Sequence, residues 1–297
     1  MDSLIVCNTG SDDINKISLV NSIDNKIINK KIALKKYEKP LGPNGIFIKE
    51  NIAYIANCYN NSISIFNLDT FKEVKTVYIG ANPNDIIGFN NNLYIICSES
   101  NTMVIYDIEE EKVILEVKTN SWPYNIEISK ELKLLFISNF QSHNITVIDI
   151  ENYMIIDELI ALEYPTKVKV SKDGKTLYVC ESYMDDEKSG YIEMFDLITL
   201  KSLGKIKVGK APVDIFEDNN ILYVCNFLDG SIMLIDKDKK DIYKEIKING
   251  MPRTIIKHKD LIYISDYLNG RIFCIDLNIN NIKAITVGKE PNAMTLY

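Results

Sequence analysis

Two histidines and one tryptophan in 297 residues leave this chain short of the groups that most often carry catalysis. His143 and His258 fall in different kinds of loop of the repeat described below, on opposite faces, so they cannot share a metal. HExxH, GxSxG and P-loop spacings are all missing. The six cysteines contain no CxxC pair, so the spacing that zinc sites use is absent as well. Three of them, Cys7, Cys180 and Cys225, fill a repeat position that holds Ala56, Ser138 or Ser265 elsewhere. That column asks for a small buried side chain, and reduced cysteine packs as one.

Long apolar runs are missing too. The longest are strand-length, far below the roughly 20 residues a membrane-spanning helix needs. Positive charge is in deficit: 34 Lys and Arg stand against 41 Asp and Glu, giving a net charge of −7 and a pI near 5.1. That sign opposes binding to a phosphate backbone, so no nucleic-acid partner is expected. The start, MDSLIVCNTG, has neither a basic n-region nor a long apolar h-region. A cytoplasmic, monomeric protein without a cofactor is expected, with spore or cell-surface association as a further option. The abundance of Asn, Ile and Lys suits an AT-rich bacterial genome.

What is present is a repeat. The beat AYIAN (53–57) returns as LYIIC (93–97), LFISN (135–139), LYVCE (177–181), LYVCN (222–226) and IYISD (262–266), and as LIVCN at 4–8. A proline followed by a short strand marks each unit: Pro43, Pro83, Pro123, Pro165, Pro212, Pro252 and Pro291, with separations of 40, 40, 42, 47, 40 and 39 residues. Each unit reads as four strands, A to D. Strand A follows the proline and strand B is the aromatic beat. Strands C and D follow, as in NITVIDI (144–150) and MIIDELIA (154–161). Four short strands per period of about 40 residues is the pattern of a β-propeller blade.

The two ends of the chain complement each other. Residues 291–297 are an A strand with nothing behind it, while residues 1–35 supply B, C and D with no A before them. Joined, they make a seventh blade and close the ring, removing open sheet edges. The expectation is an all-β, seven-bladed propeller of four antiparallel strands per blade, one domain over residues 1–297.

The turn and strand at 171–181 (SKDGKTLYVCE), the aspartates near the ends of strand C, and the Gly-x-x-Pro segments GANP (80–83), GKAP (209–212) and GKEP (288–291) resemble the YVTN β-propeller repeat family, the YncE-like proteins. The likeness runs along essentially the whole chain and implies the propeller fold; the family's motifs are structural and imply no activity. Cys97 and Glu181 depart from the family's Asn. At fold level the chain also resembles seven-bladed lactonases and streptogramin lyases. The lyases rely on a histidine-rich channel mouth, and this chain lacks those histidines.

Repeated residues read as structural. The strand-end series of Asn8, Asn57, Asn139, Asn226 and Asp266 suits turn backbone bonding, and Tyr54, Tyr94, Tyr178, Tyr223 and Tyr263 suit blade packing. Irregular positions are where a site can be written. Trp122, Tyr124, Phe140, Tyr164 and Tyr183 gather aromatic surface on the top of blades three and four, either as a ligand or partner patch or as a cap on the core. The loop 181–191 adds Asp185, Asp186 and Glu187, carboxylates that suit calcium but without EF-hand spacing, so no metal is assigned. Asp85, Asn125, Lys167, Asp214 and Arg253 line the way into the channel, with Glu127 and Lys169 deeper. A non-catalytic scaffold binding a protein, peptide or small ligand through Trp122, Tyr124, Phe140, Tyr164, Tyr183, Asp85, Asn125 and Arg253 is expected. The alternatives are an enzyme using Asp214 and Lys167 as an acid–base pair, and a structural spore or surface component.

Overall fold

The computed structural model describes residues 3–20, 26–34, 38–183, 188–279 and 281–297. It contains seven four-stranded antiparallel sheets arranged as a propeller. Blades 1 to 6 run in order from Pro43, Pro83, Pro123, Pro165, Pro212 and Pro252. Blade 7 joins Pro291–Leu296 to Ser3–Asn8, Asp13–Ser18 and Asn29–Ala33. Its closing pair is antiparallel, with Val6 opposite Met294 and Cys7 opposite Ala293. The ring shut by its two ends is therefore present. Among the described residues no helix is long and apolar enough to cross a membrane.

Strand alternation puts one face of each sheet against the next blade, and apolar clusters fill the gaps between neighbours. Tyr54, Ile63 and Ile65 of blade 1 pack on Ile86, Leu93 and Tyr106 of blade 2. Phe136 and Val147 of blade 3 pack on Val168, Val179 and Phe195 of blade 4. The strand-B tyrosines all lie within these gaps, at 5% exposure or less. All six cysteines are free thiols, and all but the half-buried Cys58 are buried. Asp173-Gly174 sits in a turn that closes between Ser171 and Thr176. The Ser171 hydroxyl accepts the Lys175 and Thr176 N–H groups and so holds the loop.

One irregularity repeats in every blade and shapes the centre. The register of strand A slips just after its proline, leaving the next residue unpaired. Such a bulge turns a side chain out of the regular alternation. Seven bulges around one axis aim seven side chains into the channel: Asn44, Asn84, Tyr124, Thr166, Val213, Arg253 and Asn292.

Candidate functional site

Those seven residues form a neck. They line both a cavity opening on the top face and a deeper one along the channel, each of about 330 Å³. Hydrogen bonds tie the neck into a belt. Arg253 Nε donates to Asn292 Oδ1 at 2.6 Å, Asn292 Nδ2 to Asn44 Oδ1 at 2.6 Å, and Asn44 Nδ2 to Asn84 Oδ1 at 2.7 Å. Asn84 Nδ2 donates onward to the Tyr124 carbonyl. Arg253 Nη2 closes the circuit across the channel with a 2.7 Å bond to the Tyr124 hydroxyl. Among the described residues Arg253 is in no ion pair. Burial works against its charge, but the Tyr124 hydroxyl and, behind it, Asp214 outweigh that and hold its pKa above the ordinary value.

Above the neck the walls are aromatic. Tyr59, Phe140, Phe227 and Tyr267 rise around the mouth, with Cys58, Ala211 and Val213 between them. Phe140 stacks on Tyr124 at 5.4 Å, and Phe227 meets Tyr267 edge-on at 5.8 Å. Phe140, Phe227 and Tyr267 share a column, the residue just past strand B. In each the N–H is bound to the carbonyl just before strand A of its own blade: Trp122, Ala211 and Met251. With the backbone fixed, the side chain decides the outcome. Hydroxyls at this position turn to the neighbouring blade, as Thr9 does to the Pro43 carbonyl and Ser98 to that of Pro123. Aromatics lean over the channel instead.

Below the neck the charges pair. Lys169 Nζ lies 2.7 Å from Glu127 Oε2, and Lys167 Nζ 3.5 Å from Asp214 Oδ1. Burial opposes the charge of Lys167, yet Asp214, Asp85 and Glu127 together hold its pKa above the usual lysine value. Asp85 is pushed up by burial, against the pull of Lys167 and three hydrogen bonds. Three of these polar residues also stitch blades together. Asp85 Oδ2 accepts the Ile126 N–H, Asn125 Oδ1 that of Val168, and Asp214 Oδ2 that of Ile255. Both oxygens of Asp214 are thus committed, and Lys167 is a pinned cation with no free base character.

The residues singled out in sequence therefore separate. Tyr124, Phe140 and Arg253 meet in the upper cavity, and Asp85, Asn125, Lys167 and Asp214 line the lower one. Tyr164 stands behind Phe140, 4.9 Å between ring centroids, with His143 edge-on beyond it at 4.8 Å. Trp122 is half-buried and outside both cavities; its N–H bonds Asn101 and its carbonyl bonds Phe140. Tyr183 lies against Tyr191 and Lys188 in an outer groove. The acidic residues Asp185, Asp186 and Glu187 lie outside the described residues. Aromatic contacts thus join Tyr124, Phe140 and Tyr164 on blades 3 and 4, and the walls of the mouth draw further rings, Tyr59, Phe227 and Tyr267, from blades 1, 5 and 6. Tyr59, Phe227 and Tyr267 were not singled out in sequence; comparing residues one past strand B would have found Phe227 and Tyr267 but not Tyr59, where Cys58 holds that position.

His143 has a structural explanation. It occupies the same left-handed turn position as Asn61 and Asn101, with φ of 54°, 56° and 55°. Its Nδ1 accepts the Tyr164 N–H at 3.0 Å, as Asn61 Oδ1 accepts that of Asn82 and Asn101 Oδ1 that of Trp122. Among the described residues no three His, Cys, Asp or Glu side chains converge as a metal ion would require.

No protein-family model and no curated protein matches the sequence. Solved structures do match in shape. Hydrazine synthase from Kuenenia stuttgartiensis superposes with a TM-score of 0.77 at 16% identity, over 92% of each chain. Virginiamycin B lyase from Staphylococcus aureus gives 0.69 at 17% identity, over 83% of this chain and 85% of that one. At such identities the likeness is one of fold, and the fold that this chain shares with them is the seven-bladed β-propeller.

Proposed function

We propose that this chain is a non-catalytic binding propeller of a single domain, related to the YncE-like repeat proteins, whose top cavity holds a small ligand. The observation that carries this is the cup: aromatic walls over a floor of convergent polar groups, with one guanidinium outside any ion pair. Mostly apolar concavities with a few fixed polar groups are the usual form of small-molecule sites. Repeat-derived residues hold the blades, while the residues facing the cup differ from blade to blade.

The lyase-like alternative draws on the fold shared with virginiamycin B lyase and on the pair Lys167–Asp214. The geometry of that pair speaks against it. A general base must reach the substrate's proton with a free oxygen, and Asp214 has Lys167 on Oδ1 and the Ile255 N–H on Oδ2.

The test is capture of small molecules from a cell extract by the purified full-length protein, read by mass spectrometry. Wild type is expected to enrich one or a few compounds about tenfold or more over the double variant Phe227→Ala, Tyr267→Ala. Lys167→Gln is expected to retain them unchanged. Equal retention by wild type and the double variant overturns the reading. Turnover of a captured compound that Lys167→Gln abolishes would favour the enzyme instead.

A further inference from the structure

The cup has an electrostatic direction. Arg253 at its floor uses Nε for Asn292 and Nη2 for Tyr124, which leaves three of its five N–H donors outside the belt. The asparagines beside it spend their amide N–H groups on one another. Glu290, the residue before Pro291, lies outside the cup, in an outer groove it shares with Tyr267. A field therefore runs up from the positive floor through a sleeve of aromatic rings, where low polarity strengthens it.

Resting on the reading of the cup as a ligand site, we propose that its ligand is a small zwitterion, with a carboxylate on Arg253 and an alkylated ammonium between the rings. The charges in and below the neck balance: Asp85, Glu127 and Asp214 against Lys167, Lys169 and Arg253. A simple anion would upset that balance, and a simple cation would be driven off by Arg253. A zwitterion disturbs neither and lies along the field. The cationic end is alkylated because a primary ammonium brings three donors that need acceptors, whereas Phe140 and Phe227 supply none and Tyr59 and Tyr267 one hydroxyl each. An alkylated head sheds water cheaply and is attracted by the electron-rich rings.

The experiment is calorimetric titration of the full-length protein with three matched probes. They are γ-butyrobetaine, its methyl ester, and 5,5-dimethylhexanoate, in which carbon replaces the cationic nitrogen. γ-Butyrobetaine is expected to bind saturably, and each of the other two about tenfold more weakly or worse. Tyr267→Leu is expected to weaken γ-butyrobetaine several-fold and 5,5-dimethylhexanoate less. Arg253→Gln is expected to erase the preference for acid over ester. Arg253→Lys, which keeps the charge if loss of the belt unfolds the glutamine variant, is expected to preserve it. Binding of 5,5-dimethylhexanoate as tight as that of γ-butyrobetaine overturns the zwitterion while leaving the cup a carboxylate site. Absence of saturable heat with γ-butyrobetaine at about 10 mM overturns it also. Failure of the capture experiment, by contrast, removes the cup itself as the site.

Discussion

Two circles of residues run around this molecule, and they obey different rules. The outer one ends strand B in each blade: Asn8, Asn57, Cys97, Asn139, Glu181, Asn226 and Asp266, every one fully buried. The inner one is the neck. In the outer circle each residue serves its own blade, as Asn139 Nδ2 does by donating to Thr146 at 2.8 Å and Asn57 Nδ2 to Ser64 at 2.9 Å. In the inner circle each residue faces a space shared by all seven blades. Repetition is therefore kept where the partner is local, and variety is tolerated where the partner is the channel. On the binding role proposed above, stability belongs to the first circle and its flanking clusters, recognition to the second.

Breaking the ring is the strongest challenge to that division. Deleting residues 291–297 removes the partner strand of Leu4–Asn8 and the Tyr297–Ser3 backbone pair. One new sheet edge is exposed, on Ser3–Asn8, and the buried Met294 contacts are lost with it. Thermal unfolding is expected to fall by about 10 °C or more. An unchanged transition would mean that the blades, not the closure, carry stability alone. Next in size is Phe136→Ala, which empties a fully buried site between blades 3 and 4 and should cost about 3–5 kcal/mol in denaturant unfolding. Phe140→Ala, four residues on and over the channel, should cost far less stability and mainly lower ligand capture. A reversal of that order would dissolve the distinction between the circles.

How much of this could be read from the chain follows the same line. Apolar alternation and spaced prolines report local geometry, so blade number, strand order and closure were all legible. The Gly-x-x-Pro signal has a steric origin that sequence does not display: a Cβ on Gly209 would stand 2.6 Å from Asn226 Cγ, and one on Gly288 2.7 Å from Asn8 Cβ. The glycine makes room for the buried strand-end residue. The neck was only half legible. Asp85, Asn125 and Arg253 were placed at the channel, but the bulge that brings Asn44, Asn84 and Asn292 inward is a register effect without a composition signature. Trp122 lies outside both cavities, its N–H donated to Asn101 Oδ1 and its carbonyl accepting the Phe140 N–H.

Blade 4 is where the outer circle departs from its own rule. Glu181 replaces the amide and faces Glu193 in strand C, with Lys205 Nζ 3.4 Å from the first and 2.9 Å from the second. Burial, and then the bond to Glu193, push Glu181 up to about 8, while Glu193 is held below the usual range by its bonds to Glu181, Ser202 and Lys205 against burial. Glu181 thus keeps its proton and donates it, standing in for the amide. Folding raises this pKa from 4.5, so the native state binds the proton more tightly than the unfolded chain does. The stability it brings is whole below about pH 4.5, declines as pH rises, and is gone above about pH 8. Glu181→Gln has no proton to lose. Its melting temperature is expected to pull ahead of the native protein between mildly acidic pH and pH 8, then run parallel. Parallel curves throughout would mean that Glu181 is ionised in the native state and is no substitute for asparagine.

The smallest effect tests whether a rare residue can be wholly structural. His143 sits at the rim beside Tyr164, where a histidine invites a catalytic reading. The geometry reduces its task to two demands, a left-handed backbone and one acceptor for the N–H of the residue before the proline. Asn61 and Asn101 meet both demands in blades 1 and 2. Asparagine also tolerates positive φ better than most residues. His143→Asn is therefore expected to leave stability within about 0.5 kcal/mol of native and ligand capture unaltered. His143→Ala, which keeps neither the acceptor nor the ease of that backbone, should cost about 1 kcal/mol. Should the asparagine variant lose capture while melting normally, the imidazole would belong to the inner circle, and the boundary between holding and recognising would have to be redrawn through blade 3.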